Sequence, residues 1–148
     1  MAGLPNKQVL EKQLRELAAK KVNPAAYVAV DMDGMKAIND QFGHDAADLM
    51  IEQIAGILAK YSKDDGVTAF KHQQGGDEFG LVIQGMDKQQ VLAYVEQVRT
   101  MIGTVTRTTA SFGIAMRNND VASIWMRNAE AALHLAKNSG KNKCVLLG

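Results

Sequence analysis

One cysteine in 148 residues, Cys144, rules out any internal disulfide. Its place in the apolar run CVLL reads as a small core residue, and a reducing compartment such as the cytoplasm is the expected location. Prolines are scarce as well: Pro5 and Pro24 both lie near the start, so the later elements run without proline breaks. Aromatics make up only 5% of the chain, too few for a base-stacking platform. No apolar run approaches the ~20 residues of a membrane span, and MAGLPNKQ is not a secretory signal. A net charge of +1 supplies neither the basic surface that binds nucleic acid nor one that binds a membrane.

What remains is ordinary for a single globular domain: 47% apolar and 22% charged residues, enough to bury a core. Val9, Leu10, Leu14 and Leu17 have helical spacing, with Asn6 as N-cap. Ala25 to Met32 reads as a buried strand. Ala46 to Tyr61 returns to a helical period, and Val67 to His72 and Phe79 to Ile83 read as strands. Asp87 caps a helix to about Met101, and Thr108 to Met116 is a strand. Asp120 to Asn138 is a helix stopped by Ser139-Gly140, and Lys143 to Leu147 a last strand. The order α-β-α-β-β-α-β-α-β contains the ferredoxin-like β-α-β-β-α-β pattern. The expected fold is α+β, one mixed sheet with helices packed against it.

Between the two central strands stands Gln73-Gln74-Gly75-Gly76-Asp77-Glu78. Gly-Gly suits a tight hairpin. Adjacent acids at a strand mouth repel unless a cation or solvent screens them. The first strand also ends in acids, at Asp31-Met32-Asp33. Carboxylates from neighbouring strands, Asp31 and Asp77, with a backbone carbonyl would make a hard oxygen site suited to Mg²⁺. A solvated acidic rim explains the same residues. Lys36, Lys137 and Lys141 could meet phosphates, although the last two also suit a helix C-terminus. Asn39 and Asp48 could read a guanine edge. By themselves they read as a helix cap and a solvated helix residue.

Five ordered stretches resemble the GGDEF family, the diguanylate cyclase domain, over nearly the whole chain. Gly3 to Lys7 (GLPNK) is similar to the family's LTGLPNR. Asp31 to Asp48 (DMDGMKAINDQFGHDAAD) resembles D-x-D-x-F-K-x-x-N-D-x-x-G-H-x-x-G-D. GGDEF itself spans Gly75 to Phe79. Ser111 to Ala115 (SFGIA) and Ala129 to Asn142 (AEAALHLAKNSGKN) complete the set. The resemblance implies the palm-like βαββαβ core of nucleotide cyclases and condensation of two GTP into cyclic di-GMP with release of two pyrophosphates. It implies Mg²⁺, with Mn²⁺ as a substitute, held by Asp31, the Met32 carbonyl and Asp77. Asp77 would also lie where the 3′-hydroxyl loses its proton, with Glu78 in the same site. Gly75 and Gly76 would let the backbone approach the nucleotide; Lys36, Lys137 and Lys141 would cradle phosphates; Asn39 and Asp48 would read guanine. Each domain would hold one GTP, so catalysis would need a homodimer of facing sites.

Several positions depart from the family pattern. Met35 replaces phenylalanine, Ala47 glycine, His134 tyrosine and Lys141 arginine. Gln73-Gln74 replaces an arginine-aromatic pair, and the aspartate that usually precedes LTGLPNR has no counterpart in this sequence. Gly66 and Ala69 stand where many members carry the inhibitory R-x-x-D that binds product. These departures leave a second expectation, a catalytically degenerate domain that binds GTP or a protein and regulates something else. A ferredoxin-like RNA-binding module is disfavoured, because paired aromatics and basic excess are lacking.

Overall fold

The computed structural model describes residues 3–72, 77–118 and 121–147. The elements are α1 (Lys7–Ala19), β1 (Ala25–Met32), α2 (Met35–Phe42), α3 (His44–Tyr61), β2 (Val67–Lys71), β3 (Glu78–Gln84), α4 (Lys88–Val105), β4 (Ala110–Met116), α5 (Ala122–Asn138) and β5 (Cys144–Leu147). One five-stranded sheet has the order β2-β3-β1-β4-β5. β1 is central and antiparallel to β3 and β4, while β5 joins β4 in parallel. This is the expected mixed α+β sheet of ferredoxin-like connectivity.

Local chemistry sets several element ends where the sequence placed them. The Asn6 side chain accepts from Val9 N at the start of α1. Asp87 and Gln90 form a reciprocal capping box at the start of α4. One element differs from expectation: α2 is a separate helix, divided from α3 at Gly43. It is only eight residues long, too short for apolar spacing to separate a helix from a loop, although Met35, Ile38 and Phe42 do fall at helical spacing. Asn39 consequently lies inside α2 rather than capping a helix. α5 begins at Ala122, and the expected start at Asp120 lies outside the described residues.

Strand alternation sorts the core onto both sheet faces. Val28, Val30, Phe79, Leu81, Phe112 and Ile114 meet α3 and α4 through Ile54, Leu58, Val95 and Val98. Tyr27, Ala29, Phe70 and Val82 meet α1 and α5 through Leu10, Leu14, Trp125 and Ala129. The buried Trp125 indole donates to Ala115 O at 2.8 Å, so its polar edge is satisfied. Small residues, Ala129, Ala132 and Ala136, bring α5 close to β4. A Cβ on Gly113 would lie 2.1 Å from both Ala129 O and Leu133 N. That contact fixes how low α5 sits, and therefore where Lys137, near its C-terminal end, reaches.

Cys144, expected in the core, is half-buried on the edge strand β5, with its Sγ 3.5 Å from Glu96 Oε2. Burial, with Glu96 adding, pushes its thiol up to about 12, which leaves it an unreactive thiol.

Candidate active site at the head of the central strands

β1 and β3 run side by side with Asp31 directly opposite Glu78. Opposed residues in an antiparallel pair share a face, so these two carboxylates point to the same side of the sheet. Just past the ladder, Met32 N donates to Asp77 O at 3.2 Å. The sheet thus brings Asp31, Met32, Asp77 and Glu78 to one end of the central strands. Gly75 and Gly76 lie outside the described residues.

Asp31 is held unfavourably. Its Oδ1 is buried without a hydrogen-bond partner among the described residues. Burial pushes its carboxyl up to about 6; Lys137 opposes this, and the neighbouring Asp77 and Glu78 add to it. From α5, the Lys137 ammonium donates to Met32 O at 2.9 Å and lies 3.4 Å from Asp31 Oδ2. A cation is therefore already drawn to the oxygens that the sequence nominated for a metal. An orphaned carboxylate oxygen and an adjacent carbonyl are hard donors, and they fit Mg²⁺ or Mn²⁺. Among the described residues no cluster of three or more Asp, Glu, His or Cys side chains forms, so such an ion would take further oxygens from phosphate or water.

Asp33, to which the sequence reading gave no role, is the best-satisfied acid here. It is 5% exposed. Its Oδ1 accepts from Ser111 Oγ at 2.8 Å and Lys137 Nζ at 2.9 Å; its Oδ2 accepts from Thr109 Oγ1 at 2.7 Å and Asn142 N at 3.0 Å. Burial works against its ionisation, but the bonds from Lys137, Thr109 and Ser111 outweigh it and hold the carboxyl below the usual range. Asp33 ties the β1 end, β4 and the turn after α5 into one frame. The serine of S-x-G-x-A and the second acid of D-x-D were visible in sequence, but their contact was not.

Beside this frame α2 and α3 line an open cleft of about 340 Å³ bordered by Met35, Lys36, Asn39, His44, Ala47, Asp48, Ile51 and Asp77. Asn39 Oδ1 is buried with no hydrogen-bond partner among the described residues. Asp48 is exposed on α3. Two expected base readers, one expected phosphate lysine and one expected metal ligand thus share a wall. Lys137 joins the group differently from the expectation: instead of standing free for phosphate it pairs with Asp31 and Asp33. Lys141 is exposed, and among the described residues its side chain makes no ion pair with the site; it joins the frame only through Asn142. Of the expected site residues with described positions, Lys141 alone is not drawn into the group.

Gly66 has φ +80°, and a Cβ there would come within 2.4 Å of Gln84 O, so a side chain at this position would strain the β2–β3 edge. Ala69 is fully buried. Neither residue presents a charged group to solvent.

No described helix is long and apolar enough to cross a membrane. A family model described as "Diguanylate cyclase, GGDEF domain" matches residues 1–143. The probable diguanylate cyclase DgcE of Escherichia coli (strain K12) is 31% identical over 99% of this chain, which spans 14% of that protein. An uncharacterized membrane protein of Staphylococcus aureus is 26% identical over 98% of the chain and 44% of its own length. The chain therefore spans less than half of these relatives. Among solved structures, the diguanylate cyclase SiaD of Pseudomonas aeruginosa, in complex with its activator SiaC, is 28% identical with a TM-score of 0.88, covering 97% of this chain and 59% of that one. The GGDEF domain of DgcB from Caulobacter crescentus, in complex with c-di-GMP, shares the fold with a TM-score of 0.86 at 22% identity, covering 97% and 88%.

Proposed function

Since the chain belongs to the GGDEF family of diguanylate cyclase domains, we propose that it condenses two GTP molecules into cyclic di-GMP, with a divalent cation, across two facing copies. The observation that carries this reading is the shared wall of one cleft, where Asn39 and Asp48 meet Lys36 and Asp77. Asp48 would accept from the N1–H and 2-amino group of guanine, and Asn39 would take a further edge contact. Lys36 would place positive charge on the triphosphate. Lys137 would do the same after leaving Asp31, to which it is bound at 3.4 Å.

A cation held by Asp31, the Met32 carbonyl and Asp77 would neutralise phosphate charge and make the α-phosphorus more electrophilic. Asp77 would take the proton of the incoming 3′-hydroxyl. The 3′-oxygen then bonds to the α-phosphorus of the GTP on the facing copy, and the bond to pyrophosphate breaks. Two such steps, one from each copy, close the ring. Chromatography of GTP and Mg²⁺ with a concentration series of the protein tests this. Product should rise faster than linearly with protein and vanish in D77A. GTP binding without any product at high protein concentration would instead support the non-catalytic regulatory module.

Two specificities follow from the same residues. An adenine edge presents an acceptor to the Asp48 carboxylate, so GTP should be preferred over ATP by at least about 100-fold in kcat/KM; comparable turnover of both would refute the Asp48 role. With Gly66 and Ala69 in the R-x-x-D positions, cyclic di-GMP is not expected to inhibit through this edge. High-affinity product binding there would contradict that expectation.

A further inference from the structure

Two residues outside every motif of the site, Tyr27 and His72, form a buried pair that reaches one of its carboxylates, Glu78. Tyr27, in the middle of β1, is fully buried, and among the described residues its hydroxyl has one partner, His72 Nε2 at 3.1 Å. His72 follows β2 and is 9% exposed. Its other ring nitrogen, Nδ1, lies 3.3 Å from Glu78 Oε2. Space for this line is made by Gly80: a Cβ there would come within 3.0 Å of Tyr27 Cε1 and 3.4 Å of His72 Nε2. Glu78 is the carboxylate opposite Asp31, and its side chain is 60% exposed. Without a partner on one oxygen it would sample several rotamers.

The chemistry of the three groups fixes the direction of the bonds. Burial pushes the Tyr27 phenol up, so it keeps its proton and donates. Burial also pushes His72 down, against the pull of Glu78, which leaves the imidazole neutral near pH 7. A neutral imidazole has one donor and one acceptor. With Nε2 accepting from Tyr27, Nδ1 carries the hydrogen and gives it to the carboxylate. We propose that His72 is a positioning residue, an Nδ1–H donor locked by Tyr27 that holds Glu78 in place across from Asp31. The positioning role for turnover rests on the cyclase reading; the bonded line itself does not.

The test uses the full chain with ¹⁵N-labelled histidine. Long-range ¹H–¹⁵N correlation spectra distinguish the two neutral tautomers, and H72N identifies the signal among His44, His72 and His134. The expected result is an Nδ1-protonated His72 whose shifts move in E78Q and whose tautomers mix in Y27F. An Nε2-protonated His72 in the parent chain would overturn the proposal. In turnover, H72A should lower kcat about 10-fold with KM within about twofold, as misplacement of a site group does. H72N should restore most of the rate, because its amide N–H can replace Nδ1–H toward Glu78. Unchanged kcat in a folded H72A protein would also overturn the proposal. If H72A does not fold, Y27F, which removes only one hydroxyl, should still lower kcat severalfold. A parent chain that makes no cyclic di-GMP yet has the Nδ1 tautomer and its E78Q response would sink the cyclase reading and keep the positioned Glu78.

Discussion

D31N is expected to abolish cyclic di-GMP synthesis, by at least about 1,000-fold, while making the metal-free protein more stable. The activity loss follows from removing the one carboxylate that faces both Glu78 and the Met32–Asp77 junction, since an amide oxygen is a much poorer ligand for a hard cation. The stability gain follows from the cost of keeping this carboxylate ionised. Among the described residues its Oδ1 is buried without a partner, and its pKa is raised from 3.8 to about 6 by burial and by Asp77 and Glu78, despite Lys137. A group whose folded pKa lies above its unfolded value binds a proton more readily in the folded state. Folding is then favoured as pH falls through 6 toward 4 and penalised above 6. The penalty at pH 7 is on the order of 1–3 kcal/mol. Asparagine mimics the protonated form and removes this penalty, which is already net of the pairing with Lys137. Urea unfolding in chelator at pH 7.5 should give D31N the higher midpoint, and the difference should fade toward pH 4. A destabilised D31N at neutral pH would show that Lys137 more than offsets the burial, and that Asp31 is a structural ion-pair partner.

G113A is expected to cost more than about 3 kcal/mol and to remove activity, although it adds a single methyl group and changes no polar residue of the site. The new Cβ would meet the backbone of α5 at 2.1 Å on two atoms, so no side-chain rotation can relieve it. The helix must rise off β4 or the strand must bend. Either movement also carries Lys137 away from Met32 O and Asp33 Oδ1, each now at 2.9 Å, and leaves a buried carboxylate short of its cation. G56A is the control. Gly56 lies within α3 with open space around its Cβ position, so alanine there should stabilise the fold by about 0.5–1 kcal/mol through helix propensity. Thermal unfolding of the pair should move in opposite directions. Equal midpoints would mean that α5 can lift from the sheet at little cost.

Much of the fold could be read from the chain because its signals are local. β1 has the bounds that its apolar run suggests, and Asn6 and Asp87 cap the helices they precede. The short α2 escaped because eight residues with three large apolar positions are too few to tell a helix from a loop, although Met35 and Ile38 pack against the core. Lys137 had a phosphate role by resemblance, yet its ammonium rests on Asp31, Asp33 and Met32 O. That arrangement depends on how closely α5 approaches β4, which the sequence states only as a glycine and a few alanines.

The sequence by itself determined the family, the order of every element except α2 and the residue types proposed to hold a cation and read a guanine edge, because these depend on spacing along the chain. The division of labour among the acids was decided by tertiary structure alone. Asp31 and Asp33 are two residues apart and chemically identical. One is left with an orphaned oxygen and a raised pKa; the other is saturated by Ser111, Thr109, Asn142 and Lys137. Likewise nothing local marks His72 as the partner of Tyr27, 45 residues away. Burial and the number of hydrogen-bond donors within reach set a carboxylate's charge and a histidine's tautomer, and both are fixed only when distant strands and helices close around them.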